Sequence, residues 1–113
     1  MKYVLLFGGT MEPEERAKNP EMQAAYQRID QWFEEYGRAG KIVGGHELKG
    51  PHTATTIRFK DGKPMVVDGP FIEAKEVIGG YAEVEVADLD EALEIAKTWP
   101  GKTSVEVRPV VEN

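Results

Sequence analysis

The sequence predicts one α+β domain in which two βαβ units share a sheet and a β-hairpin is inserted between them. Three observations carry this. Apolar residues recur at helical spacing from Met22 to Tyr36 and from Leu89 to Ala96; wholly apolar or alternating runs flank each stretch; and a turn-rich pair of short extended runs separates the two halves. A chain of 113 residues, 41% of them hydrophobic, holds one modest core, so residues 1–113 are read as a single domain.

Lys2 to Phe7 is apolar on both faces, as a central strand covered on both sides requires. Residues 8 to 19 read as a polar loop, long for so small a domain. Asn19-Pro20 supplies an N-cap and a proline at the first helical position, with Glu21 near the positive end of the helix. Met22, Ala25, Tyr26, Ile29, Trp32, Phe33 and Tyr36 then form a core-facing stripe, and Gly37 and Gly40 weaken and end the helix. Ile42 to Leu48 is a second strand loosened by Gly44-Gly45. Ala54 to Phe59 and Pro64 to Val67 form the hairpin, turning at Asp61-Gly62-Lys63. Gly80 to Val86 alternates strictly, Asp88 caps a helix that ends at Trp99-Pro100, and Ser104 to Val110 alternates again. The order is βαβ, hairpin, βαβ, which suggests a ferredoxin-like split sheet with two helices on one face.

Such a sheet leaves a second face open. With Val84, Val86, Val105 and Val107 toward the helices, Tyr81, Glu83, Glu85, Glu106 and Arg108 face away, beside one apolar side of the first strand. Exposed apolar surface costs roughly 25 cal/mol per Å². A second copy of the chain is the economical cover, making the protein a homodimer with a pocket for a small-molecule ligand at the sheet face.

Composition excludes several function classes. Without cysteine there are no disulfides, thiolate nucleophiles or thiolate metal sites. A formal charge of −6 argues against nucleic acid as a partner, since phosphate binding needs a basic stripe. No apolar run approaches the roughly 20 residues of a membrane helix, and the apolar start is too short for a secretory signal, so the expectation is a cytoplasmic protein that does not engage a membrane. His46 and His52 have no spacing specific to a metal, and Gly8-Gly9-Thr10 lacks the further glycines and lysine of a phosphate loop. Neither a metal nor another cofactor is called for.

The densest chemistry lies between Val67 and Tyr81. Asp68 leaves a strand immediately before Gly69-Pro70, and Glu73, Lys75 and Glu76 follow. Desolvated without a cationic partner, the Asp68 carboxylate could act as an acid or base near neutrality; the alternative is a turn-forming residue bonded to its own backbone. Glu73 and Glu76 share a face if their segment is helical, forming either a catalytic pair or a solvated turn. Arg108 is expected near Asp68 at the rim of the open face, joined directly or through residues 73–76. Tyr81 and Arg108 complete the candidate pocket.

Asp68-Gly69-Pro70-Phe71, followed by Glu73, Lys75, Glu76, Gly79 and Gly80, resembles the signature of the YCII-related, or DGPF-domain, family. The likeness extends through Asp90-Glu91-Ala92, Ala96 and Trp99-Pro100 to Val105–Val110, with Ala74 where a threonine is usual. It implies the dimeric α/β barrel superfamily, in which two ferredoxin-like halves pair through their sheets, in small bacterial proteins of unestablished reaction. It also implies a catalytic role for His46 as base with Asp68 as its orienting carboxylate. Two functions follow: a small cofactor-free enzyme using acid/base chemistry, or a non-catalytic module that binds a ligand or a protein.

Overall fold

A computed structural model describes residues 1–9, 18–70 and 77–112. The elements in chain order are β1 (Lys2–Gly9), α1 (Pro20–Arg38), β2 (Ile42–Glu47), a short 3₁₀ turn (Pro51–Thr53), β3 (Thr55–Lys60), β4 (Lys63–Asp68), β5 (Val77–Glu85), α2 (Leu89–Lys97) and β6 (Val105–Pro109). Strands β2, β5, β1 and β6, in that order across the sheet, form a four-stranded antiparallel sheet, and β3 pairs with β4 in a separate two-stranded ribbon. This is the ferredoxin-like α+β arrangement, with β1 and β5 in the middle.

Both helices begin as the sequence indicates. The Asn19 side chain accepts from the Glu21 backbone N–H at 2.9 Å, and Asp88 caps α2 by accepting from the Glu91 N–H at 2.9 Å. The α2 cap is reinforced: the Glu91 carboxylate accepts from the Ala87 N–H at 2.9 Å and pairs with the Lys41 ammonium at 3.2 Å. That contact anchors α2 to the segment between α1 and β2.

Tyr3, Leu5 and Phe7 of β1 point to the helices and meet Ala82, Val84 and Val86 from the β5 side, Ile42 of β2, and Trp32, Ala92 and Ile95 of the helices. Val105 and Val107 pack at the margin of this core, so the inward set read from the alternation of the last two strands is the one observed. The other side of β1, Val4 and Leu6, lies half-buried on the open face. Strand β5 begins at Val77, ahead of the predicted Gly80, because Gly79 and Gly80 continue the sheet. At Gly80 the lack of a side chain permits close approach: a Cβ there would stand 2.9 Å from the His46 carbonyl oxygen. Gly45 has the same function on the neighbouring strand, where a Cβ would lie 2.5 Å from the Tyr81 carbonyl oxygen and 3.2 Å from the Phe33 ring.

The ribbon turns through Asp61 and Gly62, both at positive φ (53° and 77°), the two-residue geometry that matches strand twist. Among the described residues β3 and β4 find strand partners only in each other. The radius of gyration, 15.8 Å, exceeds the 13 Å typical of about 100 compact residues. No helix among the described residues is long and apolar enough to cross a membrane.

Candidate functional site

The sheet register fixes which side chains share a face, because directly opposed residues point the same way. On the helix side one row runs Glu47, Gly80, Phe7, Val105 across the four strands; on the open side the neighbouring row runs His46, Tyr81, Leu6, Glu106, and the next Gly44, Glu83, Val4, Arg108. His46 and Tyr81 have ring centroids 6.1 Å apart, inclined at 61°.

A cavity of about 230 Å³ lies on the helix side, between the first turns of α1 and the end of the sheet. Met22, Tyr26, Ile29 and Phe33 of α1 form one wall, Phe7 and Trp99 another, and Glu47, His46 and Thr103 supply polar atoms. Its origin is local: Gly9, Gly79, Gly80 and Gly101 line it and leave unfilled the volume that side chains would occupy. The sequence pointed instead to a pocket on the open face. Glu47 was missed, although alternation from Gly45 places it on the helix side.

Asp68 is the last residue of β4 and is exposed. Its neighbours lock the base of the ribbon: the Gly69 N–H donates to the Ala54 carbonyl at 2.9 Å, and the Thr56 hydroxyl donates to the Gly69 carbonyl at 2.5 Å. Gly69 takes φ 98°, which explains glycine there. Arg108 does not pair with Asp68 among the described residues. It lies on edge strand β6 of the four-stranded sheet and bonds Glu106, two residues back on the same strand, whereas Asp68 belongs to the separate ribbon. Nor does Asp68 line the cavity that His46 borders. Tyr81 is half-buried at the centre of the open face. Glu73, Lys75, Glu76 and the Ala74 departure fall outside the described residues. No group of three or more His, Cys, Asp or Glu among the described residues is arranged to hold a metal.

Fold and register together define a ferredoxin-like α+β domain with an apolar cavity behind its sheet. The profile of the YCII-related domain matches residues 1–113, and the chain belongs to that family. An uncharacterized protein of Rhizobium meliloti (strain 1021) is similar, 39% identical over 79 residues, which are 66% of this chain and 64% of that protein. The match thus spans less than two thirds of the relative's length.

Proposed function

We propose that this YCII-related domain binds a small, largely apolar molecule in the cavity between α1 and the sheet, and that it does so as a homodimer. The cavity carries the reading. Apolar cavities of about 150 Å³ accept benzene, and typical small-molecule sites begin near 300 Å³, so about 230 Å³ suits a single-ring compound with one or two substituents. Aromatic walls from Phe7, Tyr26, Phe33 and Trp99 favour a planar ligand, and Glu47 fits a hydrogen-bond donor on it. One titratable side chain, Glu47, borders an otherwise apolar site, which supports acid/base chemistry on the bound molecule as the second reading. The homodimer is supported by the open face, where Val4, Leu6 and Tyr81 form an apolar centre that a second copy would cover.

A screen of small aromatic acids, amines and phenols by thermal shift tests the site. A true ligand raises the melting temperature of the wild type and loses that effect in Ile29→Trp and Met22→Trp, which fill the cavity; at 100 times Kd the stabilisation is about 2.7 kcal/mol. Hits that stabilise the filled variants equally, or no hits, would reject the cavity as the site. Turnover of a confirmed ligand that Glu47→Gln abolishes without weakening binding would decide for the enzyme.

A further inference from the structure

One row on the helix side of the sheet has an empty middle. Glu47 of β2 is opposite Gly80 of β5, and Gly80 is opposite Phe7 of β1. All three line the cavity. A carboxylate and an aromatic ring therefore stand on either side of a position without a side chain, two strand spacings or roughly 10 Å apart at the backbone.

The charge around this gap is one-sided. Glu47 is exposed, which puts its carboxylate at the mouth of the cavity, and among the described residues no cationic side chain pairs with it. No lysine or arginine among the described residues lines the cavity, and the register turns the His46 side chain to the opposite face of the sheet. The walls behind the carboxylate are aromatic: Phe7, Tyr26, Phe33 and Trp99. The Trp99 indole N–H donates to the Thr103 hydroxyl at 3.1 Å, which fixes the plane of that wall before a ligand arrives. Aromatic faces are electron-rich and attract a cation within about 6 Å of the ring centre.

We infer that the cavity takes a cationic amine, a small compound whose ring fills the apolar interior while its ammonium group lies at the gap between Glu47 and Phe7. The inference rests on the cavity reading and takes its binding branch, in which Glu47 holds the charge of the ligand and moves no proton. Other ligand charges fit worse. A carboxylate or phosphate would lie beside Glu47 with no lysine or arginine on the lining to offset the repulsion. A neutral compound filling the mouth would take water from the Glu47 carboxylate and return no charge to it. An ammonium donates hydrogen bonds to that carboxylate and finds further partners in the aromatic faces. The formal charge of −6 acts in the same direction, drawing cations toward the protein and repelling anions.

Three compounds of similar size and different charge test this: benzylamine, benzyl alcohol and benzoate, titrated calorimetrically at pH 7 and low salt. Benzylamine should bind about tenfold more tightly than benzyl alcohol, and benzoate more weakly than either. Glu47→Gln keeps the shape and removes the charge, so it should bring benzylamine down to the affinity of benzyl alcohol and leave benzyl alcohol where it was. Ile29→Trp, or Met22→Trp should that variant not fold, should abolish binding of all three by filling the cavity. Benzyl alcohol or benzoate binding as tightly as benzylamine, or a benzylamine advantage that survives Glu47→Gln, keeps the cavity and rejects the cationic ligand. Benzylamine that fails to bind at millimolar concentration rejects the amine, whatever a wider screen finds for the cavity. Benzylamine that binds the filled variant as well as the wild type rejects the cavity as the site and the amine reading with it.

Discussion

Phe7 lies flat against Trp99, with ring centroids 3.8 Å apart and planes inclined by 15°, and Trp32 meets both rings edge-on. The stack ties the end of the central strand to the segment after α2, and both of its rings also border the cavity. Packing of the core and shape of the site therefore depend on the same pair.

Trp99→Ala removes the stack. Full truncation of a buried aromatic costs about 3–5 kcal/mol, and because Trp99 is half-buried the expected loss is about 2–3 kcal/mol, read from urea unfolding. Trp99→Phe should recover most of it. Equal midpoints for Trp99→Ala and the wild type would mean that the stack adds nothing to stability.

The indole N–H of buried Trp32 donates to the Thr98 hydroxyl at 2.8 Å, and that hydroxyl also donates to the Ile95 carbonyl at 2.7 Å. Thr98→Val keeps the shape and strands the indole donor, for an expected cost of about 1–3 kcal/mol. Thr98→Ser retains the oxygen and should stay near the wild type. Thermal unfolding of the pair distinguishes a hydrogen-bond effect from a packing effect.

The Ala87 N–H, followed by the Lys41 ammonium, holds the Glu91 carboxyl below its ordinary value of 4.5. A carboxyl depressed by folding contributes its stability at neutral pH and loses it as pH falls below the ordinary value toward the folded one. Wild type should therefore be more stable than Glu91→Gln at pH 7, and the gap should narrow on acidification below about 4.5. A gap that is constant from pH 7 to pH 3 would contradict this linkage.

Gly69→Ala forces a side chain onto φ 98° in otherwise open space, an expected cost of about 1–2 kcal/mol. Gly45→Ala should be worse, since its Cβ would collide with the Tyr81 carbonyl oxygen at 2.5 Å, where only backbone can move. Melting temperatures should fall in the order wild type, Gly69→Ala, Gly45→Ala.

Much of the fold was legible because its signals are local. Asn19 and Asp88 announce helix starts through short-range bonds, and the alternation of Ala82, Val84 and Val86 selects the face turned to the helices. The inward side of β1 was not legible, since Tyr3, Leu5 and Phe7 alternate with the equally apolar Val4 and Leu6; neighbouring strands decide it. The strand was read only from Gly80, because glycine favours strands poorly and Gly79 precedes the alternation, yet β5 begins at Val77 and close approach to β2 requires a glycine at position 80. Asp68 and Arg108 were placed together on an assumed continuity between hairpin and sheet, and the formation of a separate ribbon breaks that continuity. The cavity is set by missing side chains, so a search for reactive residues passed over it.

With β1 seated between β5 and β6, the domain's earliest-made strand must wait for partners that begin only at Val77. Sequence-distant pairing of this kind slows folding, and until the last third of the chain emerges both sides of an apolar strand lack their neighbours. Nascent chains arrested before β5 is exposed should therefore be targets for holding chaperones, and emergence of β5 and β6 sets when this domain acquires its sheet.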